Sequence, residues 1–169
     1  MKIRIISGGQ TGVDRAALDV AMHLGIPCGG WCPRGQIAED GPIADRYPLI
    51  ETGSGFYGKR TKINVAKSDA TLILTAHEGV AVSYGTQLTR AAALRLQKST
   101  FVIRLPIQHR SEPGTAKVLG WIDDHNIKIL NVAGPRESES PGIYDLSFAF
   151  ILTILTQLLG DNFNCLTSS

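Results

Sequence analysis

At 169 residues the chain suits one domain built round a single sizeable core. A hydrophobic content of 43%, a charged content of 19% and a formal charge of +2 describe an ordinary soluble globular protein. They argue against a nucleic-acid coat and a membrane-adhering surface. No basic leader precedes an apolar stretch at the amino terminus and no segment approaches the length of a bilayer span, so a cytoplasmic protein is expected. The three cysteines, Cys28, Cys32 and Cys165, are an odd and scattered set that fits a reducing compartment. Cys28 and Cys32 have three residues between them, not the two of a zinc or redox pair, which favours plain burial.

The first element is an apolar strand over residues 3 to 6, followed by Ser7-Gly8-Gly9-Gln10-Thr11-Gly12-Val13-Asp14-Arg15. Strand, glycine turn and helix within fifteen residues make an anion site: amides approach a phosphate or carboxylate that faces the positive end of the helix. Two narrower readings fail. Gly12 is followed by Val13, not by the Lys-Ser or Lys-Thr of a nucleoside triphosphatase loop, and Gly30-Trp31-Cys32-Pro33 lacks the acidic residue of a dinucleotide fingerprint. Thr11 and Asp14 also have the spacing of a capping box, which is compatible with a ligand.

Val13, Ala17, Val20, Ala21 and Leu24 fall on one face of a helix that Gly25 ends. Residues 26 to 31 form a second strand, then residues 33 to 42 a long loop carrying Arg34, Glu39 and Asp40, either solvated or reaching a ligand at the carboxyl edge of the sheet. A short strand near 48 to 51 precedes a helix over 58 to 67. Lys59, Lys62 and Lys67 suit a solvated face, while Arg60 and Asn64, four apart, share a face that can point into the site.

Residues 70 to 74 read as a central strand. Beyond His77-Glu78-Gly79, the run Ser83-Tyr84-Gly85-Thr86 opens an Ala- and Leu-rich helix to about Gln97, bearing Thr89. This is a second helix N-terminus suited to an anion, unless Gly85 and Thr86 are only turn and cap. A strand over 101 to 105, a helix over 113 to 125 opened by Pro113 and Gly114, and a strand over 127 to 132 follow, the last running into Gly134-Pro135-Arg136-Glu137-Ser138. The final helix, 142 to 159, is apolar nearly all round, so it needs cover from the sheet and from a second subunit, and residues 161 to 169 form a short polar tail. Strands alternating with helices predict an α/β Rossmann-like three-layer sandwich over residues 1 to 160, with a mainly parallel sheet. The turns at Gly8, Gly85 and Gly134 should then meet round one crevice. Candidate ligand contacts are Gly8, Gly9, Gln10, Thr11, Gly12, Asp14, Arg15, Arg34, Glu39, Asp40, Arg60, Asn64, Gly85, Thr86, Thr89, Gly134, Pro135, Arg136, Glu137 and Ser138.

The opening motif through Asp19, together with Gly30-Trp31-Cys32-Pro33, Ala38-Glu39-Asp40-Gly41, Arg60-Thr61, Asn64-Val65, Ser68-Asp69, Gly85-Thr86, Thr89 and Asn131 to Ser138, resembles the molybdenum cofactor carrier proteins. These are circularly permuted YpsA-like members of the Rossmann-like superfamily that also holds the lonely-guy phosphoribohydrolases and DNA-processing protein A. The resemblance covers residues 1 to about 159. It implies a carrier, dimeric or tetrameric, that holds the molybdenum cofactor (molybdopterin) or another phosphate-bearing nucleotide-like ligand and passes it to a molybdoenzyme recipient. The cofactor's phosphate would suit the amides of Gly8 to Gly12 or the Gly85-Thr86 turn, with Arg15, Arg60 and Arg136 offsetting charge. The enzyme alternative is a nucleoside monophosphate hydrolase. Thr89 stands where the phosphoribohydrolases have a catalytic glutamate, so that chemistry falls to Glu39, Asp40 or Glu137. No nucleic-acid or membrane partner is expected.

Overall fold

The structure, a computed structural model, describes residues 3–53, 55, 57–76, 83–106 and 114–166. The chain order is β1 (Arg4–Ile6), α1 (Val13–His23), β2 (Cys28–Cys32), β3 (Ile37–Ala38), β4 (Gly41–Pro42), β5 (Leu49–Glu51), α2 (Tyr57–Lys67), β6 (Ala70–Thr75), α3 (Tyr84–Arg95), β7 (Ser99–Arg104), α4 (Gly114–Asp124), β8 (Ile129–Ala133) and α5 (Ile143–Leu166). Most expected elements lie within two or three residues of these bounds. The expected residues His77, Glu78, Gly79 and Pro113 lie outside the described residues.

Six strands form one sheet in the order β5-β2-β1-β8-β6-β7, and every pairing in it is parallel. The chain first moves outward from β1 through β2 to β5, then returns across the sheet to β6 and β7, and ends in β8 between β1 and β6. Right-handed crossovers then put α2 and α3 on one face and α1, α4 and α5 on the other. This is the Rossmann-like α/β sandwich that the alternation of elements predicts. Apolar β6, buried at all six positions, pairs on both sides, as a run without polar alternation requires. The main core joins Ile5, Leu72, Leu74, Leu130 and Val132 of the sheet to Val13, Val20, Ile122, Ile151 and Leu155 of the covering helices.

Two expectations change. The loop after β2 is not irregular: β3 and β4 pair antiparallel, and Ala38, Ile43 and Tyr47 close over Leu18 and Cys32 in a separate small core. The last helix continues to Leu166, and Ile143–Gly160 is apolar and long enough, by length and composition alone, to cross a bilayer. Its inward residues Ile143, Phe150, Ile151, Ile154 and Leu155 are instead buried in the main core, while Asp145, Ala149, Thr153 and Thr156 face outward. Leu146 is 36% exposed beside them, so the outer side of α5 mixes apolar with small and polar residues. Large exposed apolar side chains cluster on α3 and just beyond it, where Tyr84 is 68%, Leu94 80% and Leu96 45% exposed.

Candidate functional site

Because β1, β8 and β6 are neighbours and all run the same way, their carboxyl ends lie along one edge of the sheet. A cleft of about 100 Å³ opens there, lined among others by Gly8, Gln10, Asp14, Arg60, Asn64, Gly85, Thr89, Gly134 and Arg136. The three glycine turns therefore do converge. Asn131, Thr61, Ala133 and Glu139 also line the cleft and were not among the candidates. For Asn131 the signal was present: a polar residue inside the buried strand Ile-Leu-Asn-Val-Ala, where its Nδ2 donates to Thr71 Oγ1 at 3.2 Å.

The floor is a buried ion pair. Arg60 Nη1 stands 3.2 Å from Asp14 Oδ2, with the two side chains 13% and 10% exposed. Burial raises the Asp14 carboxyl above its ordinary value, and the Arg60 guanidinium with the Gln10 amide offsets only part of this. A Cβ on Gly8 would lie 1.9 Å from Arg60 Nη1 and 2.7 Å from Asp14 Oδ2, so a side chain there would have to displace that pair. Asn64, on the same stripe of α2, pairs with both backbone groups of Trp31, accepting from its N–H at 2.9 Å and donating to its carbonyl at 3.0 Å. It continues the ladder on β2 where β1 has ended, so its amide is committed to structure.

The opening loop is more self-satisfied than its glycines suggest. Gln10 N–H donates to Asp14 Oδ2 at 3.4 Å, Thr11 N–H to Gln10 Oε1 at 3.0 Å, and Val13 N–H to the Pro135 carbonyl at 3.3 Å. The Thr11–Asp14 capping box does not form. Gly12 is the N-cap, with φ of +70°, and no side chain caps it; that backbone turn swings Thr11 toward Glu39, to which its hydroxyl donates. A Cβ on Gly12 would meet the Pro135 carbonyl at 2.6 Å, and one on Gly134 would meet the Leu74 carbonyl at 2.4 Å. Glycine is demanded there by the protein's own packing.

Gly85 differs. The cap of α3 is Ser83, whose Oγ accepts from Thr86 N–H at 3.3 Å, so Thr86 is neither cap nor wall. Gly85 stands in the first helical turn, and among the described residues a Cβ on it would find only Ser83 Oγ at 3.8 Å. The amides of Gly8 and Gly85 have no backbone acceptor among the described residues. The Gln10 side chain has its oxygen held by the Thr11 and Glu39 amides, which leaves its NH2 as a donor on the cleft wall.

The remaining candidates separate. Thr11, Gly12, Arg15, Glu39, Asp40, Glu137 and Ser138 line a second, more open depression of about 900 Å³ beyond the wall. Glu39 ties that wall together: its carboxylate accepts from the Thr11 and Ser138 hydroxyls and from Ser138 N–H at 3.1 Å, with Arg136 Nε at 3.8 Å. Burial alone would raise the Glu39 carboxyl, but these hydrogen bonds and Arg136 hold it below its ordinary value. Asp40 is lowered first by its hydrogen bond from Arg15, whose Nη1 lies 2.5 Å away. Glu137 accepts from Gly142 N–H at 2.5 Å and Tyr144 N–H at 3.1 Å, capping α5. The three carboxylates that the hydrolase alternative needs are thus engaged outside the glycine cleft. Gly9 packs against Leu49 and Ile43, Pro135 gives its carbonyl to Val13, and Arg34 is exposed; with Thr86 these line neither cavity.

A parallel sheet with helices on both faces and a polar cleft at the carboxyl ends of its central strands defines a Rossmann-like α/β protein. Residues 5–155 match the circularly permutated YpsA SLOG family, and the chain belongs to that family, as its motifs implied. It is similar, at 39% identity and a TM-score of 0.79, to the crystal structure named "Putative molybdenum carrier protein" from Syntrophus aciditrophicus SB, over 90% of this chain and 94% of that one. No curated protein matches the chain.

Proposed function

We propose that the glycine cleft binds the anionic head of a phosphate-bearing cofactor, and that the protein is a carrier of the molybdenum cofactor. The observation that carries this reading is Gly85. Among the described residues only Ser83 Oγ, at 3.8 Å, approaches the space its missing side chain leaves, beside the amide of a helix N-terminus, the NH2 of Gln10 and the guanidinium groups of Arg60 and Arg136. At about 100 Å³ the cleft is smaller than the ~300–1,000 Å³ of pockets that enclose whole ligands, so it suits a phosphate with the remainder of the ligand outside. Asp14 and Glu139 also line it, each paired with an arginine, so charge is balanced and selectivity falls to directed N–H groups.

Among the described residues no three His, Cys, Asp or Glu side chains gather to hold a metal ion. Grip on the cofactor's phosphate by Gly8, Gln10, Arg60, Gly85 and Arg136 therefore fits these residues better than ligation of molybdenum by protein atoms. The molybdenum-dithiolene centre would supply redox chemistry in a recipient enzyme, while this chain supplies an anion grip. We assign it to the cytoplasm, where the free thiols of Cys28 and Cys32 remain reduced.

Native mass spectrometry and pterin fluorescence on protein purified from cofactor-producing cells test the reading. Stoichiometric cofactor, lost after Arg136→Ala, is the expected result. Protein that neither retains the cofactor nor takes it up, yet releases base from nucleoside monophosphates, would replace the carrier with a hydrolase.

A further inference from the structure

The helices that wall the cleft present a second and different surface on their outer side. On α2, Arg60 and Asn64 face the cleft, whereas Lys59, Lys62, Ile63 and Ala66, at i, i+3, i+4 and i+7, form another stripe. With Ala92, Arg95 and Leu96 that stripe lines a groove of about 370 Å³ between α2 and α3. Its floor is aliphatic and its rim cationic. An engineered cavity of ~150 Å³ suffices for benzene, so this groove has room for more than one apolar side chain.

Charge makes the groove specific. Neither α2 nor α3 contains an Asp or Glu, whereas they carry Lys59, Lys62, Lys67, Arg90 and Arg95 besides the cleft's Arg60. Across the sheet, α1, α4 and α5 carry Asp14, Asp19, Asp123, Asp124, Asp145 and Asp161 against Arg15 and Lys117. Arg60 and Arg136 in the cleft and Arg15 beyond its wall each have a carboxylate partner, while no ion pair is found for Lys59, Lys62 or Arg95 among the described residues. A solvated lysine face would have no need of the apolar floor or of Leu94 and Leu96 left bare beside it.

The geometry points to a docking surface on α2 and α3 for another protein, which offers an acidic segment with aliphatic anchors. Carboxylates pair with Lys59, Lys62 and Arg95 while one or two apolar side chains fill the groove. A second copy meeting face to face would bring like charges together, and among the described residues lining the groove there is none of the aromatic platforms that single-stranded nucleic acid uses. This surface is independent of what the cleft binds. It lies on the same helices, so a partner docked here sits beside the cleft mouth.

The probe is a synthetic helical peptide with Glu and Leu alternating at i and i+4, titrated into 15N-labelled protein at low salt. Amide shifts confined to residues 59–66 and 92–96 are expected, with at least tenfold weaker binding to Lys59→Glu/Lys62→Glu/Arg95→Glu and unchanged cofactor retention. Arg95→Glu alone, at an exposed position, should weaken it at least threefold if the triple variant does not fold. No binding, equal binding of a peptide with Ser for every Leu, tighter binding of an oligonucleotide, or a homodimer in sedimentation that Arg95→Glu splits would each overturn the proposal.

Discussion

The glycine turn after β1 and the glycine at the start of α3 look alike in sequence, and the structure gives them opposite reasons. After β1, Gly8 lies under an ion pair, Gly9 under Leu49, and Gly12 against the backbone of Pro135, while the amides of Gln10 and Thr11 are taken by nearby side chains. At α3, Gly85 leaves a space that among the described residues only Ser83 Oγ approaches, at 3.8 Å. A glycine can be required by the fold or left for a guest, and only the neighbour it would strike tells which.

Substitutions should separate the two kinds. The largest effect is expected at Gly134, which belongs to the closed kind: Gly134→Ala forces a methyl against the Leu74 carbonyl and Val13, both at 2.4 Å. Overpacking of this order costs about 3 kcal/mol, which lowers the melting temperature by ~6–12 °C in calorimetry. An unchanged melting temperature would break the distinction.

Next comes the wall that separates the two cavities. Glu39→Gln weakens charge-assisted hydrogen bonds from Thr11 and Ser138 and should cost about 1–2 kcal/mol at neutral pH. Because the folded Glu39 titrates below its ordinary 4.5, its contribution is fully present above that pH and is lost as pH falls through the lowered folded value. The gap in melting temperature between wild type and variant should therefore be constant at pH values well above 4.5 and close as pH falls below it. Asp14, raised by burial, acts in the opposite sense, losing its contribution as pH rises, and cancels in that difference. A gap that widens in acid would show that Glu39 is not the latch.

The smallest effect on stability, and the sharpest test, is Gly85→Ala. Alanine in a helical turn with open space should stabilise by about 0.5–1 kcal/mol in urea unfolding, yet weaken cofactor retention at least tenfold. Loss of stability together with retention would place Gly85 among the closed glycines.

Much of this was legible in the chain. Apolar runs such as Ala70–Thr75 and the stripe from Val13 to Leu24 were enough to order strands and helices, because local period reflects which face is buried. Parallel strands joined by right-handed crossovers then required the turns after β1, β6 and β8 to share an edge. The motifs also carried the family. Less was legible where contacts are long-range. Arg15 and Arg60 both follow glycine-rich turns, but Asp40 holds one beyond the wall while Asp14 holds the other in the cleft.

What the linear chain settled by itself was the alternation of elements and the crevice they must form, since both follow from local hydrophobic period and from the handedness of L-residues. Tertiary structure alone decided which side chains that crevice keeps. Glu39, Asp40 and Glu137 are spent on the wall and on α5, Asn64 is spent on Trp31, and the two most exposed large apolar side chains, Leu94 and Tyr84, sit on α3. Each outcome depends on a partner distant in sequence, and no spacing rule encodes such a partner.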